Sequence, residues 1–149
     1  MSTYAFVTGG SRGIGRAVCV KLAQMGFCVV INYVSNDEAA QETLRLVQEV
    51  GGRGELLKFD VADTDASVKA ITGWQESHPD NYVEVLVNNA GVRKDNLLLW
   101  LEPEDWFKVM STDLNSFYNV TRPFLQPMVS HRNGRILSLI HISEPTRLD

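Results

Sequence analysis

Short apolar runs alternate along this chain with longer stretches of helical periodicity, and the alternation predicts strands separated by helices. Ala5-Phe6-Val7 is a first strand, and Ile14, Val18, Leu22 and Met25 form the apolar stripe of a helix that ends at Gly26. Cys28-Val29-Val30-Ile31-Asn32-Tyr33 reads as a second strand, buried on both faces. Ser35 and Glu38 stand at capping-box spacing, so a second helix begins there, with Ala40, Leu44 and Val47 inside and Gly51-Gly52 at its end. A third strand is predicted over Leu56-Leu57-Lys58-Phe59-Asp60-Val61, then a helix capped by Asp63 that turns Val68, Ile71 and Trp74 inward. Pro79-Asp80-Asn81 interrupts the chain before a fourth strand, Val83-Glu84-Val85-Leu86-Val87-Asn88. Pro103 suits the first turn of a long helix whose dipole Glu104 and Asp105 complement. Its stripe is Trp106, Val109, Met110, Phe117, Val120 and Phe124. Pro123 and Pro127 are expected to kink or close it, and Asn133-Gly134 turns into a fifth strand at Arg135-Ile136.

Strands that alternate with helices imply a parallel sheet with right-handed crossovers, and no internal repeat or low-complexity linker interrupts the series. With 149 residues there is enough chain for one core and too little for two ordinary domains. A net charge of -4 argues against a general nucleic-acid binder, which wants a basic face. No apolar run approaches the roughly 20 residues of a membrane span, and Met1-Ser2-Thr3 leads into the first strand without a signal segment. Cys19 and Cys28 have no metal-ligand spacing and suit buried, reduced thiols, so no metal site and a cytoplasmic location are expected. His78 and His131 lack partners at telling spacing and are read as solvated.

Between the first strand and first helix stands Thr8-Gly9-Gly10-Ser11-Arg12-Gly13-Ile14-Gly15. A tight turn needs a residue without Cβ at Gly9, Gly13 lets backbone approach a pyrophosphate, and Gly15 lets helix and strand pack closely. Unpaired N–H groups at the helix start would then face the phosphates. The spacing resembles the Thr-Gly-x-x-x-Gly-x-Gly signature of the short-chain dehydrogenases/reductases. Asn88-Asn89-Ala90-Gly91, at the end of the fourth strand, is similar to a second motif of that family. There the first Asn braces the sheet and the Ala-Gly backbone lies along the cofactor. The resemblance implies a Rossmann-type, doubly wound α/β sheet of order 3-2-1-4-5 with a dinucleotide across its carboxyl edge.

The acid that usually holds the ribose 2′-hydroxyl is missing from the end of the second strand, which reads Asn32-Tyr33. A 2′-phosphate is therefore admissible and Arg12 is a suitable partner, so NADP(H) is the expected cofactor. The cofactor contacts are assigned to Gly9, Ser11, Arg12, Gly13, Ile14, Gly15, Asn32, Asn88, Ala90 and Gly91, with Asp60 and Val61 where the family contacts the adenine.

Arg93-Lys94-Asp95-Asn96-Leu97-Leu98-Leu99, followed by Trp106, resembles the 3-oxoacyl-acyl-carrier-protein reductases within the family. That likeness implies an acidic carrier protein bearing the acyl thioester, a role in fatty acid synthesis, and a homotetrameric full-length parent. Arg132 matches a docking position, with His131 and Arg135 alongside. Asp113 stands where the family usually has an Asn of the catalytic proton network. It falls within the apolar stripe of the long helix, where a carboxylate must be paired or neutralised.

The family's Tyr-x-x-x-Lys is absent: Tyr4, Tyr33, Tyr82 and Tyr118 are followed four residues on by Thr8, Asp37, Leu86 and Arg122. The resemblance runs from Thr3 to Ile136, which makes 1–136 an incomplete, truncated reductase domain. Residues 137–149, Leu137 through Asp149, resemble one reading frame of a transposase-end adapter used in DNA library preparation and are expected to be a non-native tail. Ser138 is therefore not taken as the catalytic Ser, although Leu137 to Ile140 could extend the fifth strand. Without Ser, Tyr and Lys the chain is expected to be inactive. A different short-chain reductase of a small ketone or sugar, or a non-catalytic nucleotide-binding module, are the competing readings.

Overall fold

The computed structural model describes residues 2–91 and 101–139. Five parallel strands lie in the order predicted, 3-2-1-4-5. They are β1 (Tyr4–Val7), β2 (Cys28–Tyr33), β3 (Arg53–Lys58), β4 (Val83–Asn88) and β5 (Arg135–Ser138). The intervening helices are α1 (Gly13–Gln24), α2 (Asp37–Glu49), α3 (Thr64–Ser77) and α4 (Pro103–His131).

Alternating side chains of the central strands feed two cores, which is why β1 and β2 read as continuous apolar runs. Ala5, Val7, Val29, Ile31, Val85 and Val87 meet Cys19, Leu22 and Ala23 of α1 and Val47 of α2. Phe6, Val30 and Leu86 meet Ile71 and Trp74 of α3 and Val120, Phe124 and Met128 of α4. β1 pairs with β2 by Ala5 against Val29, and with β4 by Ala5 against Val85, with one residue of β4, Glu84, passed over at the edge.

Several boundaries move from their predicted places. β3 covers Arg53–Lys58, so Phe59 to Val61 form the turn after it, with Phe59 and Val61 still buried. Asn36, not Ser35, caps α2 by accepting from Ala39 N at 3.0 Å. Ile14 and Met25 of the predicted α1 stripe are exposed; Leu22 is buried as predicted, together with Gly15, Cys19 and Ala23. On α3, Asp63 caps as predicted, but Val68 faces solvent and Ser67 is buried.

α4 does not close at its prolines; it is continuous from Pro103 to His131. Pro127 lacks the N–H that would bond the Pro123 carbonyl, and Gln75 Nε2 of α3 donates to that carbonyl at 3.0 Å. Arg132, in the left-handed region at φ 51°, ends the helix. Burial along α4 begins only at Ser116: Trp106 and Phe117 of the predicted stripe are 45% and 41% exposed. β5 extends two residues beyond Ile136, and Leu139 N donates to Asn88 O at 2.9 Å.

His78 is not solvated. Its ring stacks on Trp74 at 4.3 Å, with Nδ1 2.7 Å from Trp74 O and Nε2 3.0 Å from Glu55 Oε1. His131 is exposed and stacks on Tyr82 at 4.0 Å. Both cysteines are free and buried. No helix among the described residues is long and apolar enough to cross a membrane.

Candidate functional site

In a parallel sheet the carboxyl ends of the strands share one edge, and here β1, β2 and β4 bring their following loops together there. They enclose a cleft of about 740 Å³. One wall is Gly9, Ser11, Arg12, Gly13 and Ile14; the second is Tyr33 to Asn36; the third is Asn89, Ala90 and Gly91.

The glycine turn depends on its glycines at named points. Gly9 and Gly13 have φ of 63° and 57°, where a side chain strains the backbone. A Cβ on Gly15 would collide with the Gly9 carbonyl, so this glycine sets the approach of α1 to the turn. Around the Cβ position of Gly13 there is open space, which leaves the backbone accessible from the cleft. The turn is tied to β2 by Gly10 N donating to Asn32 O at 2.9 Å and Gly9 N to Asn32 Oδ1 at 3.3 Å.

Thr8 and Asn89 weld the turn to the end of β4. Thr8 Oγ1 accepts from Asn89 N and Ala90 N, both at 2.9 Å, and Asn89 Nδ2 donates to Thr8 O at 3.1 Å and Gly9 O at 3.0 Å. Neither residue was singled out from the sequence as a site residue. The bracing expected of the first Asn of the motif falls to the second, while Asn88 Nδ2 donates to Thr121 Oγ1 of α4 at 3.0 Å. A further residue without a sequence signal is Asn119 of α4. It donates to Val61 O at 3.0 Å and accepts from Thr64 Oγ1 at 3.1 Å, fastening the loop after β3.

The cleft suits an anion. Among the described residues, its lining holds one cation, Arg12, and no carboxylate. Arg12 is also the N-cap residue of α1, with no side-chain cap bond, and the first turn of α1 contains no acid, so its N–H groups and dipole remain available to a phosphate. Asp37 stands just behind the second wall. Its carboxyl is held below the usual range by the Tyr33 hydroxyl, 2.8 Å away, and by Lys58 at 3.2 Å, which offsets its charge.

The remaining assigned residues separate from the cleft to different degrees. Asn32 is fully buried, and its amide donates to Leu57 O and Phe59 O at 3.3 and 3.1 Å, so its side chain braces the sheet and does not face a ligand. Val61 is a core residue, Asp60 Oδ1 accepts from Ala62 N at 3.0 Å, and neither lines the cleft. Asp113 is exposed, contrary to its expected place in a buried stripe, because the first turns of α4 are uncovered. Its Oδ1 lies 3.3 Å from the Cβ position of Gly91, on the rim of the third wall. Arg132 and Arg135 are exposed at the start of β5, the opposite end of the sheet from the cleft. The Arg93 to Leu99 run lies outside the described residues, as does the tail beyond Leu139.

Residues 3–143 match the family model for short chain dehydrogenase. Over 144 residues the chain is 39% identical to the 3-oxoacyl-[acyl-carrier-protein] reductase FabG of Aggregatibacter actinomycetemcomitans, covering 96% of this chain and 59% of that protein. It is 38% identical to the acetoacetyl-CoA reductase of Rhizobium meliloti, over 96% of this chain and 56% of that one. The chain thus spans a little over half the length of these relatives. A metagenomic short-chain oxidoreductase solved in complex with NADP superposes with a TM-score of 0.84 at 31% identity, over 96% of this chain and 65% of that chain. The parallel sheet, the glycine turn beneath its cleft and these likenesses agree, and the chain belongs to the short-chain dehydrogenase family.

Proposed function

We propose that this chain supplies the NADP(H)-binding part of a reductase that converts 3-oxoacyl to 3-hydroxyacyl thioesters on acyl carrier protein, as in fatty acid synthesis. The observation that supports the cofactor is Arg12 beside a cleft whose lining, among the described residues, contains no acid. A carboxylate there would repel a 2′-phosphate, whereas a guanidinium pairs with it in bidentate fashion. When bound, the cofactor would supply a hydride. The chain's own part is to hold the pyrophosphate over the α1 N-terminus with Ser11, Arg12 and Gly13, and to lay Ala90 and Gly91 along the ligand. The substrate class is supported by likeness to the FabG reductase, with Arg132 and Arg135 as a basic anchor for an acidic carrier.

The chain has no Tyr-x-x-x-Lys, and the proposal includes that it binds without turning over. The test is NADPH fluorescence titration against NADH, followed by an acetoacetyl thioester assay at 340 nm. Tight NADPH binding, weaker NADH binding and no steady oxidation are expected; equal affinities would overturn the cofactor assignment and steady turnover the inactivity. The proposal treats 137–149 as non-native, and an independent DNA sample whose frame continues differently after Ile136 would support that.

The acetoacetyl-CoA reductase relative favours a second reading, a reductase of a small thioester. Comparing carrier-bound with CoA-bound substrates on a full-length relative carrying these cleft residues separates the two.

A further inference from the structure

Arg16 follows the last glycine of the turn, and its side chain reaches α2. Nε donates to Thr43 Oγ1 at 3.0 Å, and Nη2 donates to Ser11 O at 2.6 Å and Ala39 O at 3.0 Å. Thr43 is fully buried and donates its own proton to Gly10 O at 2.9 Å. Two successive carbonyls of the glycine turn, those of Gly10 and Ser11, are thus drawn toward α2. In a planar trans peptide the carbonyl and the following N–H point in opposite directions. Ser11 N–H and Arg12 N–H are therefore turned away from α2, and both residues line the cleft, whereas Arg16 and Thr43 do not.

We propose that Arg16 and Thr43 are positioning residues that fix these two peptide planes so that Ser11 N–H and Arg12 N–H are presented to the pyrophosphate of the dinucleotide. The inference rests on the cofactor reading given above. Donors held in place before the anion arrives cost no reorganisation on binding, which is why their orientation affects affinity without any contact between Arg16 and the ligand. The same clip fixes the backbone from which the Arg12 side chain extends.

The experiment uses the full chain and its variants T43V, T43S, R16Q and R16K. NADPH is titrated directly by fluorescence, ADP and adenosine by displacement of NADPH, and folding is followed by far-ultraviolet circular dichroism. T43V and R16Q are expected to weaken NADPH and ADP by about tenfold or more, the scale of one charge-assisted hydrogen bond. Adenosine, which has no phosphate, should change little, and T43S should restore ADP affinity. Unchanged ADP binding in T43V and R16Q overturns the proposal. So does a loss for adenosine equal to that for ADP, since a clip that merely supports the fold would move both together. If R16Q or R16K unfolds, the T43V and T43S pair decides alone. A wild-type chain that binds no NADPH overturns the cofactor reading itself, an outcome visible before any variant is made.

Discussion

Replacing Thr8 by Val tests the weld between the glycine turn and β4. Thr8 is 2% exposed, and its hydroxyl accepts from two backbone N–H groups, those of Asn89 and Ala90, at 2.9 Å each. Val has nearly the same shape and no acceptor. An orphaned buried donor costs about 1–3 kcal/mol. Asn89 is buried and should show that cost in full, while Ala90 borders the cleft, where water can reach its N–H. The combined loss is about 2–4 kcal/mol, and the extra methyl offsets about 0.8 kcal/mol. The net destabilisation of about 1–3 kcal/mol corresponds to a melting temperature lower by roughly 3–10 °C for a chain of this size. Urea unfolding followed by tryptophan fluorescence measures it, with T8S as the control that keeps the acceptor. T8S should keep NADPH binding near wild type while T8V loses it. A T8V chain as stable as wild type would refute the reasoning, because burial of apolar area alone predicts that result.

Four other outcomes are expected. Arg12→Gln should weaken NADPH by about 10- to 100-fold, the range of a charge-assisted contact, and leave NADH nearly unchanged in parallel titrations. Gly15→Ala should prevent folding or lower stability by several kcal/mol, on the order of severe overpacking, because its Cβ meets the Gly9 carbonyl and Asn89 Nδ2. Gly73→Ala on α3 meets open space and should raise stability by about 0.5–1 kcal/mol in the same urea assay. Burial pushes the Cys19 thiol from 9.0 up to about 12. A raised thiol favours the fold fully below the unfolded value and loses that contribution as pH rises from about 9 toward 12. The urea midpoint should therefore fall more steeply with alkaline pH in wild type than in Cys19→Ala, and a parallel fall in both would contradict it.

What was legible in the sequence were features set by local pattern and by burial on both faces. β2 could be read because all six of its residues are buried, Gly9 because its φ of 63° is a local demand of the turn, and Gly15 because a Cβ there would meet the Gly9 carbonyl within the turn. Features that rest on a distant partner could not. The carbonyl of Pro123, which Pro127 cannot pair, is met by Gln75, 48 residues away. The assignment of the brace to Asn89 and not Asn88 needs Thr8 and Gly9, some 80 residues away, and the roles of Arg16 and Thr43 appear only when α1 and α2 lie side by side. Asp113 was misplaced for a related reason: periodicity gives the apolar stripe of α4, but what covers each part of that stripe is a matter of tertiary packing. The shift from Ser35 to Asn36 is of another kind, since two adjacent residues can each act as a cap and sequence does not choose between them.

The central place of β1 bears on how the chain becomes competent during synthesis. The strand made first pairs on one side with residues that follow soon after, Cys28 to Ile31, and on the other with Val83 to Val87. Closing that second edge requires a loop of about 80 residues, which is slow compared with forming the β1–α1–β2 unit. Until Asn89 has left the ribosome, β1 has an unpaired edge and its glycine turn lacks both the Asn89 amide and the N–H groups that engage Thr8. Nucleotide capture by a nascent or proteolysed chain therefore reports the arrival of β4, not the completion of the β1–α1 unit that contains the glycines.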